Sequence, residues 1–216
     1  MRVTEWIKEH RYSLAGLYVC LFLAGFFLLE HLKLGPVYVI SCPVDDWIPF
    51  CEWFVIPYFL WYAWVPVFLV LFLVKDREAY LNLCFTMFAG GTICLLIYAV
   101  WPNGLDLRRE IAADNFCADV VRFLRRVDSP ENVCPSIHVS STVAVHLAIC
   151  RSRLLGDKRA IRLGSLAVTV LICISTMVIK QHSVVDVICG WGLSMALDRM
   201  ACWMRNASMT GIKENF

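Results

Sequence analysis

Residues 53–74 read WFVIPYFLWYAWVPVFLVLFLV, from Trp53 to Val74, and carry no charged side chain in 22 positions. A bilayer core about 30 Å thick is crossed by roughly 20 apolar residues in a helix, so this stretch is long enough to span a membrane. Working outward, similar apolar runs occupy Tyr12 to Glu30, Ala79 to Trp101, Pro135 to Cys150, Leu163 to Ile179 and Val184 to about Met200. The fourth, from Pro135, is the weakest, being short and bearing His138 and His146. The expected fold is all-α, a polytopic membrane protein built as a six-transmembrane-helix bundle.

Composition agrees. The chain has 216 residues and is 59% hydrophobic, above the roughly 45–50% of ordinary soluble domains, so the surplus is expected to face lipid. No internal repeat or linker divides it, and residues 1–216 read as a single domain with its motif-bearing core at about 101–190. Arg2, Lys8 and Arg11 resemble the basic start of a signal peptide, but no convincing small-residue cleavage site follows, so the first helix is expected to be retained.

Six spans put both termini on one side. Of the 20 Lys and Arg residues, 13 fall at the termini, at Lys75 and Arg77, or between Arg151 and Arg162, whereas seven (Lys33, Arg108, Arg109, Arg122, Arg125, Arg126 and Lys180) fall on the other side. Positive charge stays in the cytoplasm, which places both termini there and the opposite loops outside, with the cytoplasmic (plasma) membrane as the expected location. A net charge of only +2, dispersed in short loops, gives no support for nucleic-acid binding. Most of the 11 cysteines lie inside spans. Cys42, Cys51, Cys117 and Cys134 face outward and are the candidates for pairing, but they show neither CxxC nor metal-ligand spacing, and free thiols are expected.

Two outer connections are long. Residues 32–52 hold Pro36, Pro43, Pro49, the acidic pair Asp45-Asp46 and interleaved aromatics, a composition suited to lying along lipid headgroups. Residues 102–134 open with a Pro-Asn-Gly turn and continue into an amphipathic helix expected from about Ala112 to Val127, with Arg122, Arg125 and Arg126 in solvent.

The chemistry concentrates at two clusters on that outer side. In Cys134-Pro135-Ser136-Ile137-His138, Pro135 suits a first helical turn, and the free amides of a helix start attract phosphate oxygens near His138. In Lys180-Gln181-His182 followed by Asp186, the spacing of four places carboxylate and imidazole on one helical face. There Asp186 fixes the tautomer of His182 and leaves its other nitrogen as a nucleophile. A polar clamp between helices needs one such pair. Two histidines, a carboxylate, Arg108 and Lys180 on one side favour catalysis at a multiply charged phosphate. His146 reads as an internal hydrogen-bonding residue.

On these residues the chain resembles the type 2 phosphatidic acid phosphatase superfamily, membrane lipid phosphatases with the motifs K-x6-R-P, P-S-G-H and S-R-x5-H-x3-D. Arg108 falls on the first motif's arginine, Pro135-Ser136-Ile137-His138 on the second, and Ser175, His182 and Asp186 on the third. Trp101 stands for the first motif's lysine, Arg109 for its proline, Ile137 for glycine and Thr176 for the third motif's arginine. Lys180, four residues past Thr176, is expected to restore one missing charge and Arg109 the other. This looser pattern is similar to the branch containing inositol phosphorylceramide synthase and the sphingomyelin synthases, which transfer a phospho-headgroup to a lipid alcohol.

The resemblance implies a lipid phosphate phosphatase, with a lipid phosphate or phospholipid as substrate and the bilayer as its setting. His182 attacks phosphorus to give a phosphohistidine, Asp186 holds its ring, and His138 acts as acid and then as base. Arg108, Ser136, Lys180 and Arg109 hold the phosphate oxygens. Neither metal nor cofactor is implied. The alternatives are a phosphotransferase of the inositol phosphorylceramide synthase kind, a non-enzymatic lipid or anion carrier, and a proton-linked transporter using His138, His146 and Asp186.

Overall fold

The computed structural model describes residues 9–32, 35 and 37–213, with side chains through Arg205 and at Ala207. Arg2, Lys8, Lys33, Pro36 and the Lys213 side chain, used above for orientation, retention and loop composition, lie outside the described residues. The chain is mostly helical. A 3-10 turn over Arg11–Leu17 leads into α1 (Tyr18–His31). After the short α2 (Pro43–Trp47) and a turn at Glu52–Phe54 come α3 (Val55–Lys75), α4 (Arg77–Val100), α5 (Phe116–Val127), α6 (Ile137–Arg151), α7 (Arg159–Val178) and α8 (Val184–Lys213). Strands β1 (Tyr38–Val39) and β2 (Asn103–Gly104) pair in parallel and tie the two long connections together.

Four stretches, Arg11–His31, Glu52–Lys75, Arg77–Val100 and Arg159–Val178, are long and apolar enough to cross a membrane, which is compatible with an integral membrane protein. The other two expected spans differ from the sequence reading. The fourth is the 15-residue α6, about 22 Å long. The sixth does not stop near Met200: α8 runs on to Lys213, with Leu197, Asp198 and Ala201 still buried and Arg205 bonded to Glu78 Oε1 at 2.5 Å.

α6 lies at the centre of the bundle. It packs against α3, α4, α7 and α8, and Val139 through Val145 are all buried. A helix enclosed by protein has no lipid face to fill, so serines and threonine replace large apolar residues and let neighbours approach. Ser140 and Ser194 Oγ lie 2.9 Å apart between α6 and α8, and the Ser194 hydroxyl also contacts the Ser140 carbonyl at 2.6 Å. A Cβ on Gly190 would lie 2.6 Å from the Ser136 carbonyl oxygen and 3.3 Å from the Ser140 amide nitrogen, so only glycine allows α8 to come this close to the start of α6.

The α5 helix starts at Phe116 rather than near Ala112, because the Asn115 side chain accepts from the Ala118 amide at 3.0 Å and caps it there. Two of its arginines are not simply solvated. Arg122 donates to the carbonyls of Ile111 and Ala113, and Arg125 to that of Arg109, so the helix is stapled to the segment before it. Arg126 is exposed, and all 11 cysteines are free.

Candidate active site

Pro135 lies outside the helix that it was expected to open. Ser136 is the N-cap, its Oγ accepting from the Val139 amide at 3.3 Å, while the Pro135 carbonyl accepts from Tyr98 Oη at 2.6 Å. Asn103 shapes the approach: its Oδ1 accepts from the amides of Val133 and Cys134, and its Nδ2 donates to the Cys134 carbonyl at 3.0 Å. The Ser136 amide donates to the Asp186 carbonyl at 3.1 Å, joining the start of α6 to the first turn of α8. His138 therefore projects from the first turn of α6 beside the start of α8.

His182 and Asp186 do not share a helix, since α8 begins at Val184. They meet all the same, because Asp186 in the first turn reaches back over the cap. Its Oδ2 accepts from the Ser183 amide at 2.8 Å and lies 3.4 Å from His182 Nδ1. Asp186 is fully buried, and its Oδ1 has no hydrogen-bond partner. On the far side of the ring, His182 Nε2 lies 3.4 Å from His138 Nδ1. The other nitrogen of His138, Nε2, lies 2.9 Å from Tyr58 Oη, and that phenol lies 3.5 Å from Asp128 Oδ2. Trp61 packs on the His138 ring with centroids 4.4 Å apart and donates to Ser141 Oγ at 2.8 Å.

The cations are placed differently from their sequence reading. α7 ends at Val178, and Lys180 adopts the left-handed backbone region with φ 62°, so it does not share a helical face with Thr176. Its ammonium donates to the carbonyls of Asp45 at 2.7 Å and Ile48 at 2.6 Å, and burial lowers its pKa. Arg108 donates to the carbonyls of Asp128 at 2.8 Å and Ser129 at 3.1 Å, and to the side chain of Gln181, the residue before His182. Burial lowers its pKa as well. Arg109 is exposed, and the Ser175 hydroxyl donates to the Ile172 carbonyl within α7. His146 Nδ1 lies 2.8 Å from Ser165 Oγ, an internal hydrogen bond. Among the described residues no group of three His, Cys, Asp or Glu side chains is arranged to hold a metal ion.

Three residues to which the sequence assigned no site role complete the surroundings. Asp45 is buried and caps α8 from outside: its Oδ2 accepts from Ser183 Oγ at 2.7 Å and from the Cys42 amide at 2.7 Å, and its Oδ1 from the Val184 amide at 2.8 Å. Burial raises its pKa, but the hydrogen bonds from Ser183, Val184 and Cys42 outweigh that and hold it below the ordinary value. The acidic pair in a loop rich in proline was the available signal. Tyr58 was hidden inside an apolar run, and Asp128 carried no motif. Burial pushes the Asp128 carboxyl above its ordinary value, and Glu30 adds to this, while His182 and Arg108 oppose it.

The arrangement sets two imidazoles face to face, with a buried carboxylate on the far nitrogen of one of them. In comparisons with family models, with curated proteins and with solved structures, no match is found.

Proposed function

We propose that the chain is an integral membrane lipid phosphate phosphatase, hydrolysing a lipid phosphomonoester or pyrophosphate through a phosphohistidine on the extracytoplasmic face. The observation that carries this reading is the 3.4 Å approach of His182 Nε2 to His138 Nδ1, with Asp186 Oδ2 on the opposite nitrogen of His182. A carboxylate only accepts, so the proton of His182 sits on Nδ1 and the lone pair on Nε2, the nitrogen facing the site. His182 attacks phosphorus in line, His138 protonates the leaving alcohol, and His138 then takes the proton of water in the second step. Arg108 and Lys180, now bound to carbonyls and Gln181, supply positive charge around the equatorial oxygens, with Ser136 and Arg109 nearby in sequence.

α6 and α8 join the four long helices as spans in this reading, giving six crossings with both termini in the cytoplasm of a cell bounded by the plasma membrane. An apolar cavity of about 400 Å³ between α1, α3, α4 and α6 supports a lipid substrate. Its lining includes Phe22, Tyr62, Met87, Ile137 and Trp61, the last two flanking His138. The same cavity favours a phosphotransferase as the second reading, because an acceptor alcohol carried on a lipid would reach His138 by an apolar route.

Purified protein incubated with a panel of lipid phosphates, with and without a lipid alcohol, tests both. Released phosphate with acid-labile label on His182 is the expected result, and a new phospholipid made only when alcohol is added indicates transfer. Binding or transport of the lipid that survives in His182→Ala, with no turnover by the parent, would leave a carrier instead.

A further inference from the structure

The two half-reactions ask opposite things of one atom. His138 Nδ1 must carry a proton while the alcohol leaves and must be bare when water attacks. An imidazolium could lose one proton and regain it unaided, but a neutral imidazole that surrenders its only proton would become imidazolate, far too basic to form near neutrality, so a His138 working from its neutral form has its other nitrogen protonated in the same motion. That other nitrogen faces neither solvent nor substrate: His138 Nε2 lies 2.9 Å from Tyr58 Oη. Tyr58 is fully buried on α3, and beyond its oxygen stands Asp128 Oδ2 at 3.5 Å.

We propose that Tyr58 and Asp128 form a proton relay that switches His138 between its acid and base tautomers, an inference that rests on the phosphoryl-transfer reading above. In the acid state Asp128 is protonated and donates to Tyr58 Oη, Tyr58 donates to His138 Nε2, and His138 Nδ1 carries the proton for the leaving group. As the bond from His182 Nε2 to phosphorus forms and the bond from phosphorus to the leaving oxygen breaks, that oxygen takes the Nδ1 proton. The Tyr58 proton passes to His138 Nε2, and the Asp128 proton passes to Tyr58.

Asp128 is then a carboxylate accepting from Tyr58, and His138 Nδ1 is bare. In the second half-reaction water loses a proton to Nδ1 as its oxygen bonds to phosphorus and the bond to His182 breaks. The Nε2 proton returns to Tyr58, and the Tyr58 proton to Asp128. No proton is gained or lost over the cycle beyond the one exchanged between water and the alcohol.

The surroundings of Asp128 shift its balance toward the neutral form. The titratable and charged groups acting on it are His182, Arg108, Glu30 and Tyr58. Burial and Glu30 push its pKa up against the pull of His182 and Arg108. The Asp128 carbonyl accepts from Arg108 Nη1 at 2.8 Å, and the next amide, Ser129, donates to Glu30 Oε1 at 3.2 Å, so the segment is held from both sides. Tyr58 and Asp128 act through His138 and touch no substrate atom, so they are positioning groups, and their effect has to depend on how badly the leaving group needs a proton.

Tyr58→Phe and Asp128→Asn are near-isosteric and separate relay from shape. The rate of His182 phosphorylation in a single turnover is compared for an alkyl phosphate, whose alkoxide needs a proton, and for p-nitrophenyl phosphate, whose leaving group does not. Both variants are expected to lose on the order of 100-fold with the alkyl ester and only a few-fold with the nitrophenyl ester. Thermal unfolding in detergent confirms that each is folded. Equal losses on both esters, or no loss on either, overturn the relay while leaving His182 as the nucleophile. A parent protein that never labels His182 with either ester overturns the phosphoryl-transfer reading, and the relay falls with it.

Discussion

The two ends of α6 both bury carboxylates, and they treat them differently. At the Arg151 end every carboxylate oxygen has a donor. Asp76 Oδ1 accepts from the Ala79 amide at 3.0 Å, and its Oδ2 from Ser152 Oγ at 2.7 Å and the Arg153 amide at 2.9 Å. Asp198 takes both arms of Arg151, at 2.7 and 2.5 Å. At the His138 end Asp45 is satisfied in the same way, but Asp186 meets His182 only at 3.4 Å and keeps one oxygen without a partner, and the two imidazoles face each other at 3.4 Å. A saturated carboxylate holds its neighbours in place, whereas one with an unused oxygen costs stability. The same residue type is thus satisfied to different degrees about 20 Å apart along one helix.

Exchanging aspartate for asparagine at each end gives the largest expected contrast. Asp186→Asn is expected to lower turnover by about 10²–10⁴-fold with little change in unfolding temperature, because the tautomer of His182 is no longer enforced. Asp198→Asn is expected to do the reverse, destabilising by about 2 kcal/mol while turnover per folded molecule is unchanged. If both variants lose only stability, the contrast between the ends is wrong.

Gly190→Ala sits between these extremes. The added Cβ, 2.6 Å from the Ser136 carbonyl, must push the start of α6 from α8, so activity is expected to fall more than stability does. Turnover measured at a temperature where the variant remains folded checks this.

Acid titration sharpens the comparison further. Asp76 is held below its ordinary value of 3.8: burial raises it, but the hydrogen bonds from Ala79, Ser152 and Arg153 outweigh that. Its stabilising contribution is therefore complete above the unfolded-state pKa and is lost as pH falls through the lower folded value. Asp128 is raised, so the sign reverses: its ionisation costs stability, which declines as pH climbs from 3.8 through the folded value. Asp76→Asn is expected to be weaker than the parent at neutral pH and to converge with it in acid. Asp128→Asn should gain on the parent over the rising range. Unfolding temperatures recorded across pH would show both, and parallel curves for the two variants would break the distinction. The smallest effect is at the packed middle of the helix, where Ser194→Ala is expected to cost about 0.5–1 kcal/mol through the lost contact with Ser140.

Much of this was legible without coordinates. The long runs through Trp53–Val74 and Ala79–Trp101 read as helices because lipid-facing segments must be apolar along their whole length. The pairing of His182 with Asp186 was visible as a spacing of four, although the contact turns out to be a helix cap rather than one helical face. α6 read as the weakest span for the reason that makes it central, since burial among other helices removes the demand for large apolar side chains. Lys180 was misplaced because a helix ending at Val178 and a left-handed residue after it turn its ammonium toward Asp45 and Ile48. Periodicity carries no information about where a helix stops when the stop is made by backbone conformation and distant carbonyls.

Hydropathy and short-range spacing by themselves determined a helical chain with long apolar segments and two histidine clusters, because those properties are written in consecutive residues. Only the tertiary structure decided that Tyr58 on α3 stands between His138 and Asp128 after α5, and that Asp45 caps α8 from 139 positions away. Such contacts depend on how helices pack and on which buried polar atom lacks a local partner, and neither is encoded at any fixed separation along the chain.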